Sequence, residues 1–268
     1  MSAFHQAVVI QVAVAVLLAL GYWLAASTGR FAFGHAGFMA IGAYAGSILT
    51  VKHSWNLWLA VVVAGAVAAV AGALIGSVAL RLSLLYLAII TFVFAQLVAT
   101  LISQWDYVGG ATGFTGMSGT TVTLALTAVA VVVAYLVLHA RSRLGLACAA
   151  IREDEVAARA SGLATTKITV QVFAVSAAIT GVAGAIAAHF LLYVSPRDFD
   201  AAQSMVIILY VVFGGIQYFW GAAAGAIVLS LLPIYVNFLD RWYQIVYGSL
   251  FVLLMILRPQ GVIGRARV

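Results

Sequence analysis

Few side chains in this sequence are able to carry acid–base, metal or nucleophilic chemistry, and their spacing argues against an enzyme. The five histidines, His5, His35, His53, His139 and His189, stand far apart, with no HExxH and no paired His/Cys spacing to gather ligands around a metal. No serine sits in a GxSxG elbow. The run from Gly109 to Gly119 resembles a phosphate-binding loop, yet such a loop needs a Lys followed by Ser or Thr after its last glycine, and no Lys occurs there. The chain therefore cannot hydrolyse ATP itself. Cys148, the single cysteine, rules out an internal disulfide or a CxxC site and reads as a small packing residue.

The seven acids also lie where coupling chemistry would not put them. Asp106, Asp198, Asp200 and Asp240 fall in or beside external connections, and Glu153, Asp154 and Glu155 in an internal loop. Proton-coupled transporters place an ionisable group at membrane depth, because the proton must bind somewhere. A proton symporter is disfavoured. What remains within the apolar runs is neutral polarity, including Thr100, Gln171, Ser176, Thr180 and His189. Most of these groups read as hydrogen-bond partners between helices, and a minority as the lining of a route for a polar solute. His35, Tyr44, Thr91 and Gln96 are the candidate lining groups, though for His35 a bond between helices is the favoured reading over contact with solute.

The elements that hold these residues follow from composition. Of 268 residues, 65% are hydrophobic and 7% charged, against about 25% charged in an ordinary soluble domain. Lipid must be the solvent. Crossing about 30 Å of hydrocarbon takes about 20 apolar residues as helix, and nine stretches qualify: 7–28, 31–50, 56–79, 84–104, 121–140, 168–194, 203–217, 220–238 and 243–257. We expect an all-α integral membrane protein, a single domain over residues 1–268, built as a polytopic bundle of about eight to ten transmembrane helices. The second stretch is rich in glycine and the eighth carries Pro233, so either is expected to be broken or re-entrant. The first has no signal-peptide pattern and reads as a retained span. Close glycine pairs, Gly42 with Gly46, Gly72 with Gly76 and Gly221 with Gly225, predict tight helix packing.

Net charge is +6, but the 13 Lys and Arg residues are scattered through short gaps, a topology signal and not a nucleic-acid stripe. If spans alternate and residues 141–167 are cytoplasmic, Arg30, Arg81, Arg141, Arg143, Arg152, Arg159, Lys167, Arg258, Arg265 and Arg267 fall inside. Only Lys52, Arg197 and Arg241 fall outside. The bias places the C-terminus in the cytoplasm.

Residues 141–167 form the only long polar connection. Its Ala-rich stretch with Arg and Glu predicts a surface helix over 148–162, ending at Gly162 in a left-handed conformation, with Glu155 and Arg159 four apart and able to pair. Glu155, Ala158 and Gly162 resemble the EAA-type loop of ABC importer permeases, which docks a short coupling helix into its ATPase. The wider chain is similar to the branched-chain amino-acid importer permeases of the LivM-like family. That resemblance rests on the segment Gly34 to Tyr44, the segment Tyr86 to Thr91 with Phe94, the Gly109 to Gly119 run, the loop Ile151 to Arg159, and Arg258 to Gly261. The Gly214 to Ala226 segment departs from the family pattern in its bulky Gln217, Tyr218, Phe219 and Trp220.

The resemblance implies a permease subunit of a bacterial inner-membrane importer for amino acids or another small polar solute. A second, LivH-like permease, two ATPase subunits that bind ATP and Mg, and an external solute-binding protein would be its partners, with no cofactor in this chain. Arg152, Glu155, Ala158, Arg159 and Gly162 would couple it to the ATPase. A stand-alone channel for a small solute such as urea or an amide is the competing reading; it has no need of a docking helix.

Overall fold

The computed structural model describes residues 3–117, 119–235 and the isolated positions 245, 248, 249 and 252. The ninth apolar stretch, the Arg258 to Gly261 segment and the C-terminal arginines lie outside them. Ten helices follow in order: α1 (Ala3–Ala26), α2 (His35–Val51), α3 (Leu57–Ala79), α4 (Leu84–Ser103), α5 (Val122–Arg141), α6 (Arg143–Glu153), α7 (Glu155–Ala160), α8 (Thr165–Leu191), α9 (Ala201–Gly214) and α10 (Phe219–Tyr235). The protein is an all-α polytopic membrane protein. Five of these helices, α1, α3, α4, α5 and α8, are long and apolar enough to cross a bilayer. The seventh and eighth expected spans are one pair, α9 and α10, bent by 119° at residues 215–218, so the described residues hold up to six spans by length and composition, besides the shorter apolar α2, where the hydropathy pattern suggested eight.

Helices α1 and α8 form the core, with 72% and 67% of their apolar windows buried, whereas α3, α4 and α5 bury 39%, 33% and 28% and present Val70, Leu74, Ile89, Val93 and Leu138 outward. Glycines set how closely the core packs. A Cβ at Gly42 would overlap the backbone of Gly181, one at Gly46 would press on Ala185, and one at Gly72 on Ala177. The pairs Gly42 with Gly46 and Gly72 with Gly76 are thus helix contacts with α8, and Gly221 with Gly225 packs on α9, as expected where lipid removes the hydrophobic drive for association.

The short polar segments gather at two ends. At one end, Arg30 after α1 meets Glu155 of α7 and the Leu82 carbonyl after α3. At the opposite end, Lys52 sits over the rings of Tyr107 and Phe114. There β1 (Phe114–Thr115) pairs antiparallel with β2 (Tyr193–Val194). The glycine run is therefore a turn-rich cover, with Gly109, Gly110, Gly113 and Gly116 all at positive φ.

Two helices begin inside the bundle. The extended segment before α2 runs beside α4, where the Phe33 amide donates to Thr91 Oγ1 at 2.9 Å. Thr91 lies seven residues into α4, about 10 Å along its axis at about 1.5 Å per residue. The connection after α8 likewise folds inward, capped by a Ser195/Asp198 capping box, and Asp200 caps α9 through the Gln203 amide at 3.0 Å. The first turns of α2 and α9 then meet, with the Ala36 amide donating to Ser204 Oγ at 3.4 Å.

Candidate functional site

The 141–167 region is two helices, not one. The helix expected over 148–162 breaks at Asp154, whose extended backbone (φ −157°, ψ 106°) ends α6 and whose carboxylate accepts from the amides of Val156 and Ala157 at 2.8 and 3.0 Å. An aspartate that caps a new helix competes with continuation of the old one. The stop at Gly162 forms as expected. Gly162 has φ +85°, its amide donates to the Arg159 carbonyl, and the Leu163 amide reaches back to Ala158. This is the Schellman arrangement that a glycine at this position permits.

Helix α7 is fastened inward. Ala158 is 5% exposed and faces the bundle, so its small size sets the seat of the helix. Glu155 accepts from Arg30 at 2.5 Å and from Arg159 at 2.9 Å. Arg159 is 65% exposed and Arg30 only 17%, so the Arg159 pair is screened by water and worth roughly 0–1 kcal/mol. Arg30 is the stronger anchor. It also donates to the Leu82 carbonyl at 3.1 Å, which joins α7, the start of the α2 entry segment and the α3–α4 turn through one guanidinium. Arg30, Arg81, Ser83, Glu155 and Arg159 line a polar cavity of about 460 Å³ at this end. Arg152 lies against the Gly29 turn and near Glu153 at 3.9 Å. Burial pushes the Cys148 thiol up to about 11, which keeps it protonated near neutrality. Outward, Val156 is 78% and Leu146 68% exposed.

Three of the four candidate lining groups are committed to the protein itself. His35 is 1% exposed, and its Nε2 lies 2.9 Å from Ser176 Oγ, while Ser176 donates to the Gly21 carbonyl at 2.6 Å. A hydroxyl has one proton, so the network assigns the donor role to His35 Nε2. The chain His35, Ser176, Gly21 ties α2, α8 and α1 together. Thr91, fully buried, satisfies the Phe33 amide of the entry segment and donates to the Leu87 carbonyl at 2.8 Å. Tyr44 donates to the Val194 carbonyl at 3.3 Å. Gln96 stands half-buried on α4. Among the described residues, no hydrogen bond joins one of the four to another.

Two adjoining cavities lie elsewhere, among α1, α2, α8, α9 and α10. One, of about 330 Å³, is lined by Tyr193, Arg197, Asp198, Asp200 and Gln203 with Met39 and Leu191. The other, of about 310 Å³, is lined by Val14, Leu18, Met39, Phe190 and Tyr210 with Gln11, Gln203 and Ser230.

Residues 5–256 match the family model described as the permease component of the branched-chain amino acid transport system. The chain belongs to this family. Among its relatives, the high-affinity branched-chain amino acid transport system permease protein LivM of Escherichia coli (strain K12) is 32% identical, and that of Salmonella typhimurium 31%; each match covers 90% of this chain and 65% of the relative. The chain thus spans about two thirds of their length. The permease protein LivH of Escherichia coli is 30% identical over 47% of this chain and 42% of its own. No solved structure matches the chain.

In this permease family member, sequence reasoning missed three features that the structure brings to the site. Arg30 reads as a topology charge and turns out to grip Glu155. Ser204 carried no expectation, yet it accepts from the Ala36 amide at the start of α2, whereas Ser176 bonds between helices as expected. The only sequence sign was a serine in an otherwise apolar helix, which does not reveal its partner. Val156, one residue from Glu155, was overlooked because an apolar residue in an Ala-rich helix looks like packing.

Proposed function

We infer that this chain is a transmembrane permease subunit of an ATP-driven importer for a small polar solute, a branched-chain or other amino acid, and that α7 is its coupling helix. The observation that carries this reading is the construction of α7. A six-residue helix is capped by Asp154, stopped by Gly162, and held inward through Ala158 and the Glu155–Arg30 pair, while Val156 is left exposed at the polar end of the bundle. Exposed apolar surface outside the lipid band is what a docked partner covers. Two ATPase subunits, which bind ATP and Mg, dock there on the cytoplasmic side. The ATPase closure displaces α7, and Arg30 passes the displacement to the entry segment and α2 as rigid-body motion. A second, LivH-like permease completes the pathway, an external binding protein delivers solute, and the assembly sits in the bacterial inner membrane with the basic end and the C-terminus inside.

In the pathway, His35, Tyr44 and Thr91 hold the shape of the α2 wall and Gln96 stands on the adjoining α4. Irregular backbone at depth is tolerated only beside protein or a water-filled cavity, and the entry segment meets that condition through Thr91. Affinity purification of the tagged chain is expected to bring down the ATPases. Val156→Asp is expected to lose them, and Ala158→Trp, which unseats α7, to abolish solute-stimulated ATP hydrolysis with membrane insertion intact. Normal stimulation in both variants would refute docking at α7. A lone homo-oligomer from the native chain would favour a stand-alone channel.

A further inference from the structure

The paired cavities near α9 divide their linings by chemistry. The first holds Arg197, Asp198 and Asp200; the second is apolar along Val14, Leu18, Met39 and Phe190. They share Met39, Ala187, Leu191 and Gln203 as a common wall, and the Gln203 amide nitrogen lies 3.8 Å from the Met39 sulfur across it. Arg197 makes no ion pair among the described residues. Asp198 uses Oδ2 for the Ser195 amide and Asp200 uses Oδ1 for the Gln203 amide, so one oxygen of each carboxylate remains for a ligand. Opposite charges that line one cavity without neutralising each other complement a ligand carrying both signs. Each volume falls in the range of about 300–1,000 Å³ typical of small-molecule sites.

We propose that these joined cavities are a transit site for an α-amino acid zwitterion with an apolar side chain: Arg197 takes the carboxylate, Asp198 and Asp200 the ammonium group, and Leu18, Met39 and Phe190 the side chain. The proposal rests on the importer reading and adds the residues that would read the solute within the permease. Its position fits, because the site is bordered by Met39 early in α2 and Gln203 in the first turn of α9, the elements that begin inside the bundle.

The test uses the complete importer in vesicles, with labelled leucine and saturating binding protein. Arg197→Gln and Asp200→Asn, the latter keeping an oxygen to cap α9, are expected to lower the turnover of transport about ten- to hundredfold, the value of a hydrogen bond to a charged group. The binding-protein concentration that half-saturates transport should stay within twofold. Arg197→Lys should recover part of the turnover, and Met39→Trp, which fills the shared wall, should shift uptake from leucine toward alanine when each is supplied on saturated binding protein. Native turnover in both charge variants would overturn the site. A rise in half-saturating binding protein with normal maximal turnover would overturn it too, by making Arg197 a docking residue. A native complex that carries no amino acid at all would instead bring down the importer reading beneath it.

Discussion

At the scale of single residues, the buried polar groups divide into those that close the structure and those that move it. His35 belongs to the first kind. Its ring is enclosed by Tyr22, Phe38 and Phe173, and its removal leaves Ser176 without its donor inside the bundle. His35→Ala is expected to destabilise the solubilised protein by roughly 1–3 kcal/mol, the cost of a lost buried hydrogen bond, read as a lower melting temperature; a native-like melting curve would contradict the assigned network. In the proposed coupling, Arg30 belongs to the second kind. Arg30→Gln and Glu155→Gln are each expected to leave ATP hydrolysis by the assembled importer within a fewfold of native while lowering solute moved per ATP. The reversed pair, Arg30→Glu with Glu155→Arg, should regain part of the loss. Equal losses of hydrolysis and transport would show that the pair only holds α7 in place. Tyr44 and Thr91 show why such roles escape the sequence: a polar residue in an apolar run announces a hydrogen bond, but not whether its partner is solute or backbone.

At the scale of elements, α7 and α8 mark what could be read in advance and what could not. The end at Gly162 and the Glu155–Arg159 pair follow from local rules, since both partners lie within one turn or two. The break at Asp154 was equally local and went unread, because Ala-rich composition outweighed the capping habit of aspartate. Depth was not legible at all. An apolar helix exposed to lipid and an apolar helix buried among others have the same hydropathy, so α1, with Leu17, Leu20 and Leu24 fully buried, looks no different from α5. The glycines carried more. Gly42 faces the Gly181 backbone with no room for a methyl group, and Gly42→Ala is expected to cost about 1–3 kcal/mol through overpacking, again read by thermal unfolding. The bend between α9 and α10 was hidden because two short apolar runs separated by Gly215 and Gln217 fit two spans as well as a helical hairpin.

At the scale of the whole molecule, composition settled the solvent, and the alternation of charged gaps settled which segments share an end. Arg30, Arg81 and Glu155 do meet, and Lys52 meets Tyr107 and Phe114 at the other end. Membership of the permease family was legible in the order and spacing of short segments, whereas the proposed transit site was not, since its lining comes from five helices distant in the chain. The central claim is that this subunit supplies half of a pathway driven from outside itself, through α7. Reconstitution tests it most directly: the chain alone in liposomes, against the chain with the second permease, the ATPases, binding protein and ATP. Solute-specific uptake only by the full assembly is the predicted result, and uptake by the chain alone, without partners or ATP, would contradict it.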